Sequence, residues 1–210
     1  RSKWGAGPDD FLLCFFGFIN DRKGVDTLLR ALHALVSDPP TAGRVSLLFI
    51  GGRTGASDPT NVAYLAQIDA LIAELGLEDQ VHWTGYVAPE EVTASFMGAD
   101  LCVLPYRDGA SFLHGTFHAA LVHGMPILTT QPRVDLPELV HGQNVFLVAP
   151  DNASALAAAI GQLAADQPLR RRLGAGAKVL AEMFRWDQIA ADTLELYRTI
   201  GAGQVDPSGR

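Results

Sequence analysis

Residues 11–32 have the sequence FLLCFFGFINDRKGVDTLLRAL, and the spacing of their apolar residues changes part-way along. Residues 11–16 are apolar without alternation, which is typical of a strand covered on both faces of a sheet. Beyond a polar loop, apolar residues recur at helical spacing, at Val25, Leu28 and Leu32. The stretch therefore predicts a strand, a loop and a helix in direct succession.

The same alternation repeats along most of the chain. Five further apolar runs predict strands, at Val45–Ile50, Val81–Trp83, Leu101–Leu104, 126–129 and 145–148. Helical patterns occupy 25–36, 62–75, 89–98 and 115–124, and three helices without a strand follow residue 151. This order predicts a doubly wound, Rossmann-like α/β fold, with a parallel sheet of about six strands, helices on both faces and a C-terminal helical tail.

The extent of the domain follows from length and composition. A chain of 210 residues with 48% apolar and 19% charged residues can bury a sizeable core. No linker rich in Gly, Ser or Pro divides it, so we expect a single domain over residues 1–200. The last ten residues, 201–210, have the sequence GAGQVDPSGR and predict a disordered tail.

The charge and the cysteines restrict the partners and the location. A net charge of −7 argues against nucleic acid or anionic lipid as the main partner, because both attract a basic surface. Cys14 and Cys102 each lie within an apolar run, which indicates buried, reduced thiols and a cytoplasmic protein. No run reaches the roughly 18 apolar residues that a membrane-spanning helix needs.

Three loops follow predicted strands, at 17–23, 51–59 and 105–115, and a doubly wound fold places its ligand beyond these strand ends. In the first loop, Gly17 lets the backbone approach a ligand closely, and Lys23 precedes a helix. A bound phosphate and a polar turn with a solvated lysine both fit this pattern. Arg53, in the second loop, is placed to reach a ligand shared with Lys23.

The third loop leads into a helix that begins at Gly115 and Thr116, whose exposed amides can bind an anion or only water. His114 lies at this helix start, where its ring can donate a hydrogen bond to a phosphate. His118 and His123 follow, but no pair of these histidines has a credible third ligand, so no metal site is predicted.

Several segments together resemble the C-terminal, nucleotide-sugar-binding domain of family 4 (group 1) glycosyltransferases, which have the two-domain GT-B fold. The resemblance covers nearly the whole chain. It is carried by GFINDRKGVDTLLRAL, LGLEDQVHWTGYVAPEEV, ADLCVLPY, HGMPILTT, LPELVHGQNVFLVAPDN and FRWDQIAADTLELY.

The resemblance implies a role for each matching position. Gly17 and Lys23 would face the donor diphosphate, and Gly115 with Thr116 would offer amides to phosphate. The nucleobase would be bordered by the backbone of Tyr86 and Val87, which lie in the sequence TGYVAP.

The resemblance also implies the chemistry and the partners. The ligand would be a substrate, a nucleotide-diphosphate sugar, without a further cofactor or a metal, and the transfer would be retaining. The acceptor would be held by the protein's own N-terminal domain, which this chain lacks, so the fragment alone would be inactive. The enzyme would be cytoplasmic, and whether the absent half attaches it to the inner face of the membrane stays open.

The chain departs from the family pattern at three positions. Phe18 stands where the family usually has an arginine, and Ser111 and Ala119 stand where it has two glutamates, so no catalytic residue is assigned. Loss of the arginine and the ribose-binding carboxylate would cost about 3–6 kcal/mol of donor binding. The residues available as replacements are Arg22, Arg53, Arg107 and His114.

Three functions remain open on these residues. The first is a glycosyltransferase donor-binding domain. The second is a degenerate, non-catalytic interaction domain, for which Phe18 and Phe112 would fill the pocket between the loops. The third is an unrelated doubly wound domain that binds another phosphorylated metabolite.

Overall fold

The computed structural model describes residues 1–38, 44–53 and 59–203, and it contains one parallel sheet. The six strands are β1 (Phe11–Phe16), β2 (Val45–Ile50), β3 (Val81–Trp83), β4 (Leu101–Leu104), β5 (Ile127–Thr130) and β6 (Phe146–Val148). Their order is β3-β2-β1-β4-β5-β6, and every pair is parallel. The predicted doubly wound sheet is confirmed, with shifts of one residue at β5 and β6.

Helices cover both faces of this sheet. They are α1 (Val25–Val36), α2 (Pro59–Glu74), α3 (Pro89–Gly98), α4 (Gly115–Val122), α5 (Ala153–Ala165), α6 (Gln167–Ala181) and α7 (Trp186–Gly203). The last three form the predicted helical tail. Helix α7 ends at Gly203, so it extends three residues into the segment 201–210 that the sequence predicts to be disordered. Residues 204–210 of that segment lie outside the described residues.

The core lies on both sides of the central strands. Leu12, Leu13, Cys14 and Phe15 of β1 are fully buried, as the run of apolar residues without alternation predicts. Helix α1 packs against α5, and α4 packs against α6. Both cysteines are buried and free, and they are register partners in β1 and β4.

The sheet order fixes where a ligand can bind. The chain leaves β1 toward β2 on one side, and β4 lies on the other side of β1. Loops that follow β1 and β4 therefore diverge and leave a crevice at the carboxyl edge between them. Among the described helices, none combines the length and the apolarity that crossing a bilayer requires.

Candidate functional site

A cavity of about 640 Å³ opens at the carboxyl edge of the sheet. The loops after β1 and β2, the segment that leads into α3, and one face of α4 form its walls. The lining residues are Phe16, Gly17, Phe18, Gly51, Gly52, Tyr86, Val87, Ala88, Pro89, Val92, Thr93, Ala119 and His123. This is the place that the strand order predicts for a ligand.

Gly17 is the point at which three of the predicted residues meet. Its φ of 105° lies in the region that favours glycine. A β-carbon built at Gly17 would lie 2.6 Å from Thr116 Cγ2 and 2.8 Å from Lys23 Nζ. Lys23 and Thr116 therefore adjoin the cavity at Gly17, although neither of them lines it.

The Lys23 ammonium is partly buried and lacks a counter-ion in the described part of the chain. A short 3₁₀ helix, Asp21–Lys23, carries this side chain back toward the sheet, with Nζ 5.7 Å from the centroid of the Phe15 ring. Burial lowers the pKa of Lys23 from 10.5 to about 8. Because buried charges are normally paired, this cation is a site that an anion would neutralise.

The start of α4 offers further donors beside Lys23. His114 is its N-cap and makes no side-chain capping bond, and the amides of Gly115 and Thr116 donate to no acceptor within the described residues. These amides carry the positive end of the helix dipole. The Thr116 hydroxyl is already engaged, at 2.6 Å from the hydroxyl of Tyr106. The backbone at this helix start, and not the threonine side chain, is therefore free for an anion.

His114 lies in the same corner. Its ring centroid is 4.0 Å from that of Tyr106, and its Nε2 is 3.8 Å from Asp108 Oδ2. Burial is the main cause that lowers its pKa; Lys23 lowers it further and Asp108 opposes the shift. The buried Nδ1 of His114 has no hydrogen-bond partner among the described residues. This shift favours the neutral ring, which has an unused nitrogen near the α4 amides.

The loop that carries Lys23 is held in place by Arg107. The guanidinium of Arg107 pairs with Asp21, with Asp26 at 2.7 Å and with Asp151 at 2.8 Å. Its backbone N–H donates to the carbonyl of Arg22 at 2.8 Å. Arg107 therefore braces the first loop against the third and is not a spare cation that could replace the family's arginine.

Arg53 does not line a common binding site with Lys23. The sequence predicts a shared ligand, whereas the structure pairs the Arg53 guanidinium with Asp69 of α2 and places it 4.4 Å from the ring centroid of Trp83. Arg53 is also not among the residues that line the cavity. Residues 54–58, the rest of this predicted loop, lie outside the described residues.

Aromatic residues form one wall of the cavity. Tyr86 is 91% exposed and Phe18 is 45% exposed, and both line it together with Val87. A β-carbon on Gly52 would lie 2.9 Å from Phe18 Cε1 and 3.9 Å from Tyr86 Cδ2, so a larger residue there would require the Phe18 ring to shift. Phe18 is a wall of an open cavity and does not fill it.

Phe112, the second ring proposed to fill the pocket, lies elsewhere. Its centroid is 4.8 Å from that of Phe184 and 6.4 Å from that of His118, and it does not line the cavity. Ser111 accepts a hydrogen bond from the Leu113 amide at 3.2 Å. Ala119 does line the cavity, where its methyl group leaves room for a ligand.

Sequence reasoning missed two polar residues of this site, Thr93 and His123. Both line the cavity, and His123 Nε2 lies 3.1 Å from Thr93 Oγ1. From the sequence alone, His123 is weighed only as a candidate metal ligand. The signal that could have found it is its position four residues after Ala119, which puts both on one face of α4. No group of three potential metal ligands occurs in the part of the chain that the structure describes.

Comparison with known proteins agrees with this geometry. The family described as "Glycosyl transferases group 1" matches residues 10–166, more than half of the chain. The chain belongs to this glycosyltransferase family. Two similar relatives are the D-inositol 3-phosphate glycosyltransferases of Streptomyces scabiei and Streptomyces bingchenggensis, 32% and 30% identical over 200 residues. The alignments cover 94% of the chain but only 43% and 42% of these relatives, so the chain spans less than half of their length.

Two solved structures share the fold of this chain. Sucrose-phosphate synthase from Thermosynechococcus elongatus superposes with a TM-score of 0.78 at 26% identity, covering 97% of this chain and 49% of that one. The Anabaena protein HepE, solved in complex with UDP-glucose, gives a TM-score of 0.74 at 22% identity, covering 96% and 51%. The chain therefore has the Rossmann-like fold that these two proteins contain.

Proposed function

We propose that the chain is the donor-binding domain of a glycosyltransferase and binds a nucleotide-diphosphate sugar. The observation that carries this proposal is the convergence at Gly17 of an unpaired, partly buried Lys23 ammonium and the free amides at the start of α4. Both groups attract negative charge, and they adjoin a cavity of about 640 Å³ that is large enough for a nucleotide.

The parts of the donor would be distributed along the cavity. The diphosphate lies at Gly17, between Lys23 and the amides of Gly115 and Thr116, and the unused His114 Nδ1, in the tautomer that carries its proton there, donates to it at its edge. The base lies at the aromatic wall beside Tyr86 and Val87. The UDP-glucose complex of HepE, which has the same fold, supports a nucleotide sugar as the ligand class.

These groups would act on the leaving diphosphate. As the glycosidic bond to the donor breaks, negative charge grows on the diphosphate, and a lysine with aligned amides stabilises that charge without a metal. The retaining outcome rests on the family resemblance. The acceptor would be held by an N-terminal domain, and the short span of the chain against its relatives supports a further domain in the complete enzyme. A cytoplasmic enzyme that is peripheral to the membrane fits this arrangement.

Calorimetric titration with UDP, GDP and ADP tests the proposal. We expect the 210-residue chain to bind at least one of them, and Lys23→Ala to weaken that binding about tenfold or more, because a charge-assisted contact is worth about 1.5–3 kcal/mol. Arg30→Ala is the matched control, because it removes an exposed cation of α1 that does not line the cavity, and it should change little. Absence of binding at millimolar nucleotide would overturn the proposal.

A second candidate is a non-catalytic interaction domain, favoured by the absence of carboxylates at Ser111 and Ala119. It predicts that Lys23→Ala leaves every activity of the complete protein unchanged. The unpaired burial of Lys23 favours the first candidate, because a domain that has lost its ligand has no use for a buried cation.

A further inference from the structure

The cavity has few polar side chains. Apart from the exposed Tyr86, only Thr93 and His123 among its lining residues carry a polar side-chain group, and the other members are apolar or glycine. A nucleotide buries its ribose between base and phosphates, and hydroxyl groups that leave water need hydrogen-bond partners. The two polar residues are therefore the place to look for recognition of the sugar hydroxyls.

The His123 ring is fixed in both position and tautomer. It stacks on Phe96 with 4.6 Å between ring centroids, and its Nδ1 lies 2.8 Å from the carbonyl oxygen of Ala119. Because a carbonyl only accepts, Nδ1 carries the proton, and Nε2 of the neutral ring is an acceptor. This Nε2 faces Thr93 Oγ1 at 3.1 Å, so α3 and α4 present an acceptor and a hydroxyl side by side.

The position of this pair along α4 matches the length of a nucleotide. Thr116, next to Gly17, marks the anion-binding end, and His123 lies seven residues later, about 10 Å along the helix axis. Helical side chains lean toward the helix N-terminus, so the His123 ring covers the turn that contains Ala119. The bond from Nδ1 to the Ala119 carbonyl shows this lean.

We infer that His123 and Thr93 together bind the ribose hydroxyls of the donor nucleotide, in place of a carboxylate at position 119. One hydroxyl of the vicinal diol replaces the Thr93 hydroxyl as the donor to His123 Nε2, and the Thr93 hydroxyl that is thereby released bonds the other. The small side chain of Ala119 leaves the space that the diol needs. This inference rests on the proposed function, and it adds two residues that decide between ribose and deoxyribose.

The test compares UDP with 2′,3′-dideoxy-UDP by calorimetry on the 210-residue chain. We expect the chain to prefer UDP by roughly three- to tenfold per hydrogen bond. His123→Phe keeps the stacking on Phe96 but removes the acceptor, and Thr93→Val removes an exposed hydroxyl. Each variant should bring the ratio of UDP affinity to dideoxy-UDP affinity toward one. Val122→Ala is the control, because Val122 is an exposed α4 residue that does not line the cavity.

The outcomes separate the two proposals. If the chain binds neither nucleotide, the proposed function fails, and this inference fails with it. If the chain binds UDP but the preference is absent, or is unchanged in both variants while thermal melts show them folded, only the inference is overturned. Loss of the preference in His123→Phe and Thr93→Val, with dideoxy-UDP affinity retained, supports it.

Discussion

The Lys23 ammonium lies 2.8 Å from the point that a β-carbon on Gly17 would occupy. A residue other than glycine at position 17 would therefore displace the cation from the strand end. The same β-carbon would meet Thr116 at 2.6 Å, so the anion-binding end of α4 would also be disturbed. Gly17 thus couples the backbone of the first loop to both groups that attract the diphosphate.

Gly17→Ala should lose both stability and binding. The φ of 105° is unfavourable for alanine and costs about 1–3 kcal/mol, and the displaced Lys23 no longer faces the ligand. Chemical denaturation measures the first effect and UDP titration the second. Gly142→Ala is the control, because Gly142 has a φ of 75° with open space around its β-carbon, so it should lose stability but keep binding. Normal UDP affinity in folded Gly17→Ala would contradict this account.

Phe18→Arg should strengthen diphosphate binding. Phe18 is 45% exposed and lines the cavity, so an arginine fits without disturbing the core. One added charge-assisted bond would tighten UDP binding roughly 10- to 100-fold. Phe18→Gln, which is polar but uncharged, serves as the comparison in the same titration. Equal affinities in the two variants would show that the diphosphate does not lie within reach of position 18.

The pH dependences of stability and of binding should run in opposite directions at Lys23. Burial lowers the pKa of Lys23 to about 8. Between pH 8 and about 10.4 the unfolded chain holds more protons at this residue than the folded chain, so folding stability rises with pH there. Below pH 8 the cost of burying the charge is fully present. UDP needs the protonated ammonium, so its affinity should fall as pH rises above 8.

Thermal melts and UDP titrations between pH 7 and 10 measure these two slopes. Lys23→Met removes the titrating group without losing the alkyl chain, and we expect it to raise stability at pH 7 while it weakens binding. Parallel pH profiles in the wild-type chain and in Lys23→Met would mean that another group titrates.

Arg107→Met should weaken UDP binding without touching the cavity. Loss of the guanidinium leaves the carboxylates of Asp21, Asp26 and Asp151 without their shared cation, and we expect a loss of about 1–3 kcal/mol of stability. The 3₁₀ helix that carries Lys23 would loosen as a result. Arg185→Met is the control, because Arg185 also pairs with two carboxylates but is exposed and lies far along the chain. Unchanged UDP affinity in Arg107→Met would show that Arg107 does not position Lys23 for the ligand.

Much of the fold could be predicted from the sequence because the spacing of apolar residues within a segment indicates which of its surfaces are buried. The apolar run 11–16 and the stripe of α1 each show which surfaces are covered, and these two periodicities define a βα unit. The strand order then brings Gly17, Lys23 and Thr116 to one edge, as the topology of doubly wound sheets requires.

The rest of the site depends on contacts between distant elements. Arg53 pairs with Asp69 and covers Trp83, and nothing within its own loop indicates that direction. The contact of Thr93 with His123, thirty positions apart in the sequence, depends on how α3 and α4 approach each other. Local periodicity locates a helix face, but not which face of another helix it meets.

The most direct test of the central claim is a crystal structure of the chain grown with UDP at millimolar concentration. The account predicts density for the diphosphate at Gly17, within hydrogen-bond distance of Lys23 Nζ and of the Gly115 and Thr116 amides. Density for UDP elsewhere, or an empty cavity in crystals that contain UDP at that concentration, would contradict it.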